Sequence, residues 1–338
     1  MIGAGLSGLA CAAALDGRRC AVTVFEKSRG VGGRMATRRT EHGARFDHGA
    51  QYFTVRDERF AAFVQRCEAA GAASRWRGRI ASLGQALPAG KAEQPRHVGT
   101  PGMNALCGEL AGGLDVRLET RCAPPVWVEG ERRWRLASDQ GQPLGEYEAV
   151  VVSAPAPQAA QLLAATPALA SAARAVQMRG CWAVMAAFAE RLPLDFDGAF
   201  VHGSPLSWVA RNSSKPGRDT TPGADAWVLH ASPEWSDAHI EREPAAAAGQ
   251  LLAAFGEATG VELPKPEYAS AHRWRYALPA EPLPDRCLYD AAKRIGACGD
   301  WCGGPRVEGA YLSGLALADK IAASKPIASS QHPTANCQ

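Results

Sequence analysis

The sequence predicts an α/β protein, with a parallel-sheet, Rossmann-type dinucleotide-binding domain joined to a second domain built on an antiparallel sheet. Three observations predict it. The chain opens on a glycine-rich turn followed by a helix, a strand and an acid; strands alternating large and small residues fill its second half; and a last short strand, residues 295–300, ends in an acid ahead of a final helix.

In the opening turn, Gly3, Gly5 and Gly8 fit G-x-G-x-x-G around Leu6 and Ser7. The first glycine lets the backbone reverse, the second lets it approach a pyrophosphate, and the third lets the next helix pack on the sheet. Any Gly/Ala-rich stretch can match this pattern, so the context decides. Residues 9–15 suit a helix stopped by Gly17, residues 20–25 read as a buried strand, and Glu26 follows 18 residues after Gly8. A carboxylate at that strand end, beside Lys27, accepts hydrogen bonds from adenosine ribose hydroxyls and repels a 2′-phosphate. Only Met1 and Ile2 precede the turn, against the usual strand of about five residues. Either the first strand begins upstream or it is a stub at the centre of the sheet.

A second glycine cluster follows, in which Gly32 and Gly33 leave room for a ligand and Arg34 can neutralise a pyrophosphate with its planar donor fork. Residues 57–71 read as an amphipathic helix with Phe60, Phe63, Val64 and Cys67 on one stripe. Short strands and turns occupy 76–98. A helix around Leu106 returns to the sheet, and 116–118, 126–128 and 132–136 read as strands, the last two as a hairpin. The strand within 147–155 ends at Pro155. Beyond it come a helix at 161–175, strands at 181–188, 208–211 and 226–230, a helix at 245–259, a strand at 268–277, the strand at 295–300 and a helix from about 307 to 323. This assigns 1–56, 97–156 and 290–323 to the dinucleotide-binding domain, 57–96 and 157–289 to a substrate domain, and 324–338 to a disordered tail.

Composition narrows the function. The 338 residues are 46% hydrophobic and 21% charged, as in ordinary soluble domains, and a net charge of +3 with no basic stripe argues against nucleic acid. The apolar start lacks a basic leader and is too short to span a bilayer, so no membrane role is expected. Ten scattered cysteines fit reduced thiols and a cytoplasmic protein. Cys298 and Cys302 flank Asp300 and a redox pair is conceivable, but buried free thiols are favoured. No Cys or His pairs at zinc spacing accompany them, so no metal is expected.

Residues 26–37, EKSRGVGGRMAT, resemble the segment after the second strand in the FAD-dependent amine oxidase superfamily, whose two-domain fold is shared with glutathione reductase. FDHGAQYFTVRD at 46–57, GGRMATRR before it, HRWRYA at 272–277 and GDWC at 299–302 together resemble the bacterial renalases. The resemblance implies non-covalent FAD, with Asp300 bonding the ribityl hydroxyls and Val126 contacting the adenine end through its backbone. The amino end of the helix near Val307 and Gly309 would point its partial charge at the flavin's N1/C2 edge. Small Gly49 and Ala50 would let the backbone approach the ring, placing Gln51 at the reacting face to orient a substrate carboxamide.

The substrate domain would then roof the flavin. Trp182, His230, Trp274 and Tyr276 are the candidates for an aromatic wall, and Arg56, Arg59, Arg211, Lys215 and Arg218 are cations free to attract substrate phosphates. The implied reaction passes hydride from a 2- or 6-dihydro isomer of NAD(P) to flavin N5, with O2 regenerating the flavin and giving NAD(P)+ and H2O2. No strong general base is evident, and hydride transfer needs none. The rival readings are an amine oxidase or desaturase of the same superfamily and a flavin-binding protein without turnover.

Overall fold

The computed structural model describes residues 1–41, 43–85, 94–218 and 224–324. The tail expected at 324–338 lies, but for Ser324, outside the described residues. Ile2 makes isolated parallel bridges to Phe25 on one side and Val152 on the other. Ile2 therefore runs through the middle of a parallel sheet, ordered Asp115–Arg117, Thr23–Phe25, Ile2, Val150–Val152, Ile295–Ala297. Leu288–Asp290, which sequence reading missed, adds an antiparallel edge. Leu6–Asp16 and Val307–Ala323 pack together over this sheet, Gly314 fitting against Ser7 where a β-carbon would collide with its carbonyl oxygen.

The second sheet has six strands: Tyr268–Pro279, Met178–Phe188, Asp225–Ala231, Leu206–Arg211, Gly198–Val201 and Ile80–Leu83, antiparallel except for the last pair. Its two faces differ. Trp182, Val184, Phe188, Val209, Trp227 and Leu229 face away from the first sheet and share a core with Leu251 and Phe255 of the helix Pro244–Thr259. Ala183 pairs with both His230 and His272, and Cys181 with Trp274, so these side chains occupy the opposite face, toward the opening lobe.

Three local expectations are corrected. Residues 161–175 are two helices, Ala156–Leu162 and Pro167–Ala175, because Pro167 has no N–H to continue the first and starts the second. Ser232 caps an unforeseen helix, Pro233–Ala238, by accepting from Trp235 N. Glu58–Ala69 was grouped with the substrate domain, yet Phe60, Phe63, Val64 and Cys67 share a core with Leu6, Leu9 and Leu312. Of that excursion, Ile80–Leu83 is the strand that joins the roof sheet. No described helix is long and apolar enough to cross a membrane.

Candidate functional site

The opening turn is built as a cradle. Gly3 has φ +102°, a region L side chains rarely adopt, and a β-carbon there would strike Ser153 O. One on Gly8 would strike the Gly3 carbonyl, whereas one on Gly5 would meet nothing within 4 Å. The space beside Gly5 is open, and Gly5 caps the helix without any side-chain bond. That helix's own hydrogen bonds begin with Leu9 N–H donating to Gly5 O. The amides of Leu6, Ser7 and Gly8 thus precede the ladder, where a helix end favours anions.

Glu26 is buried and accepts from Ala4 N and Ser28 N, both at 2.8 Å, so it braces the turn as well as offering a carboxylate. Lys27 beside it is exposed and reaches Gln158 Oε1 at 3.4 Å. Gly32 and Gly33 both have positive φ, at 125° and 53°. Arg34 and Asp300, assigned from sequence to different parts of one cofactor, meet in a forked pair at 2.8 and 2.6 Å, and Arg34 also donates to Ala277 O of the roof. A ligand stretched from the opening glycines to the last strand would pass both.

Val126 is 60% exposed at the start of its strand. Thr120, whose N–H donates to Glu26 O, is the residue that adjoins the acid. The closing helix has no side-chain cap at Arg306. Glu308 in its first turn accepts from Arg56 N and Asp57 N at 2.7 and 2.8 Å, which brings Val307, Gly309 and Arg56 to one place.

The turn Gly49-Ala50-Gln51 is jammed against the arginine loop. Ala50 N donates to Arg34 O at 2.9 Å, and a β-carbon on Gly49 would collide with that same oxygen. Gln51 is committed inward rather than free to meet a substrate. Its Nε2 donates to the carbonyls of Asp47 and Gly49 and lies 3.4 Å from His230 Nε2, while Oε1 accepts from Lys215 Nζ at 3.1 Å.

Beneath it lies a fully buried charge cluster, missed in the sequence because its members are remote. Asp47 accepts from Arg218 Nη2 at 2.5 Å, Thr37 Oγ1 at 2.8 Å and Met103 N at 3.0 Å, and Lys215 Nζ stands 3.5 Å away. Burial pushes the Asp47 carboxyl up, but Lys215 and Arg218 overcome it and hold the group below its ordinary value. Burial lowers Lys215 to about 8 against the pull of Asp47.

Three of the phosphate-binding cations expected from sequence, Arg211, Lys215 and Arg218, are thereby corrected. Arg211 is 0% exposed, tied to Asp225 and to the carbonyls of Phe196, Leu192 and Leu194, on the roof's far face. Lys215 and Arg218 are spent on Asp47. Arg59 forks onto Asp57, and Arg56, exposed, donates to Gln94 Oε1. Trp182 is corrected too: it is fully buried on the far face and donates to His239 O at 3.0 Å.

The wall that remains is rich in imidazole. Trp274 Nε1 donates to His48 O at 2.8 Å, and His230 Nε2 lies 3.2 Å from the same oxygen. The rings of His48 and Trp274 stack at 5.1 Å, and His272 stands edge-on to both. Tyr276 follows, half-buried, two residues beyond Trp274. Burial lowers all three histidines, helped by His272 and Arg38 at His48 and by Arg38 at His272: His48 to about 3, His230 and His272 to about 4. The folded protein keeps these rings neutral while the unfolded chain protonates near 6.5, so stability is full above pH 6.5 and falls as pH drops toward 4. Thermal melts from pH 7 to 5 should show this decline, and His272→Asn should flatten it; parallel curves for the two proteins would refute the assignment.

The family is decided by extent. A model described as flavin containing amine oxidoreductase matches residues 60–322, and one described as NAD(P)-binding Rossmann-like domain matches 1–67. The chain belongs to the flavin-containing amine oxidoreductase family. Similar solved structures include a protein of Exiguobacterium sp. 255-15 assigned as a protoporphyrinogen oxidase, at TM-score 0.75, 15% identity and coverage of 95% of this chain and 97% of that one. A triple mutant of putrescine oxidase matches at 0.73, 16%, 96% and 98%. Cyclohexylamine oxidase from Brevibacterium oxydans IH-35A matches at 0.71, 14%, 95% and 97%. At such identities the likeness is one of fold. The chain is a flavin-dependent oxidoreductase and its cofactor is FAD. The residues fit that group: open space beside Gly5, an uncapped helix end for phosphates, Glu26 for a ribose, and Arg34 with Asp300 farther along.

Proposed function

We propose that this flavoenzyme oxidises 2- or 6-dihydro isomers of NAD(P) with O2, by the balance dihydro-NAD(P) + O2 + H+ → NAD(P)+ + H2O2. Bound FAD supplies the redox chemistry, accepting hydride and returning two electrons to O2. The observation that carries the reading is the electrostatics of the wall. His48, His230 and His272 are held neutral, Arg38 stands beside His272 as a cation, and the buried acid at their back, Asp47, is shared between Lys215 and Arg218. Such a wall disfavours an alkylammonium substrate and suits a flat, phosphate-bearing one. Trp274 and His272 offer faces against which a nicotinamide ring can lie. Gly49 and Ala50 keep the opposing backbone thin, and the Lys215–Gln51 bond fixes that turn. Hydride transfer asks no proton removal of the protein, which fits imidazoles that resist protonation. The resemblance to bacterial renalases in HRWRYA and GDWC favours the same reaction.

The test is anaerobic mixing of the FAD-bound enzyme with 2-, 4- and 6-dihydronicotinamide dinucleotides and with primary amines, following flavin absorbance near 450 nm, a region set by the flavin itself. Fast bleaching by the 2- or 6-dihydro isomer, with the ordinary 4-dihydro form slow, is the expected result. Bleaching by amines alone would replace the proposal with an amine oxidase, and bleaching by no donor would leave a flavin-binding protein without turnover.

A further inference from the structure

The pocket's edge holds a cation that the protein leaves without an acid. Arg38 lies on the strand Thr37–Arg39, half-buried and in register with Phe46 of Arg45–Asp47. The hairpin is pinned, since Thr37 Oγ1 donates to Asp47 Oδ1 at 2.8 Å. Arg34, Arg211 and Arg218 each hold a carboxylate. Among the described residues none lies within ion-pair distance of Arg38, whose hydrogen-bonding contact is Nη2 to His272 Nδ1 at 3.5 Å.

The chemistry of that contact is directional. A guanidinium carries donors alone, so Nδ1 must accept, and a neutral His272 ring then carries its proton on Nε2. Arg38 from the opening lobe and His272 from the roof strand Tyr268–Pro279 therefore present N–H groups side by side. They adjoin the wall directly. His272 meets Trp274 at 4.4 Å, and Trp274 would lie 3.3 Å from a β-carbon on Gly49, the residue of the jammed turn. A half-buried guanidinium facing an uncharged ring has lost hydration without gaining an ion pair, and an oxyanion would supply what is missing.

We infer that Arg38 and His272 form an oxyanion subsite that takes a phosphate of the nucleotide substrate. The substrate's identity rests on the reaction proposed above, whereas the subsite rests on the unpaired guanidinium and its tautomer-fixed neighbour. It takes the place of the cations that the fold commits elsewhere.

The probe is ADP, which bears phosphates and cannot reduce a flavin, with adenosine as the phosphate-free control. Both are titrated into FAD-bound wild-type, R38M and R38K proteins and read by flavin absorbance or calorimetry. R38M is expected to lower the ratio of ADP to adenosine affinity by about ten- to a hundredfold, the range of a lost charge-assisted pair, and R38K to recover part of it. An unchanged ratio in R38M, equal losses for both ligands, or no ADP binding by the wild type would overturn the subsite. Should R38M fail to retain FAD, R38K decides alone: its planar fork is gone, so a ratio equal to wild type overturns the inference. A ratio that falls in R38M while no dihydronicotinamide bleaches the flavin keeps the subsite and removes the proposed reaction. Bleaching with a ratio indifferent to R38M does the reverse.

Discussion

Asp47→Ala is expected to destabilise the FAD-bound protein by about 3–5 kcal/mol, the cost of leaving buried charge uncompensated. Asp47, Lys215 and Arg218 have side chains that are 0% exposed, and one carboxylate serves both cations. Its removal strands the Arg218 guanidinium and the Lys215 ammonium, of which Lys215 can shed a proton because burial already holds it near 8. Part of the loss should therefore be recovered in Asp47→Ala/Lys215→Met, where one stranded charge is gone. The flavin turn should loosen in the single variant, since Asp47 O and Lys215 both hold Gln51. Urea unfolding of the three proteins, with FAD content measured on each, reads all of this. A cost under about 1 kcal/mol, typical of a solvated pair, would show that water reaches the cluster.

That cluster also marks where sequence reading ends. The glycine turn, Glu26, the arginine loop and the last strand before Asp300 were legible because each is a local pattern whose spacing fixes its geometry. Lys215 and Arg218 are 168 and 171 positions from Asp47, and nothing local in either segment announces the partner. The roof failed differently. Alternation along 181–188 correctly separates two faces, but a period of two does not say which one meets the cofactor. Trp182 was assigned to the wall and packs on the helix behind it, whereas His230 and Trp274, chosen by the same argument, fall on the opposite face, toward the opening lobe. His48 could have been found: it stands one residue before Gly49 in a segment already assigned to the flavin. Arg38 was masked by its neighbours, being one arginine in a run, and it is its partial burial and its contact with His272 that set it apart.

A paired substitution in the opening turn separates folding from cofactor binding. Gly5→Ala is expected to cost the protein no more than about 1 kcal/mol of its own stability, the preference for glycine over alanine at a helix N-cap. Gly5 sits at φ −77°, which alanine adopts freely, and a β-carbon there meets nothing within 4 Å. That emptiness is the space a pyrophosphate needs, so the same methyl group should lower FAD affinity about five- to a hundredfold, as overpacking by about 1–3 kcal/mol implies. Gly8→Ala inverts the pattern. Its methyl group would collide with the Gly3 carbonyl and stand 2.9 Å from Ser153 Cβ, inside the seam between helix and sheet, so the apoprotein itself should lose about 1–3 kcal/mol or more. Melting each protein with and without added FAD distinguishes them, because a ligand that binds the folded state alone raises the melting temperature by an amount that grows with the logarithm of its affinity. Gly5→Ala should melt near wild type without FAD and gain less from it than wild type does, and Gly8→Ala should melt low in both conditions. If Gly5→Ala gained as much from FAD as the wild type does, the pyrophosphate would have to pass elsewhere, and the route from the opening glycines to Asp300 would be wrong.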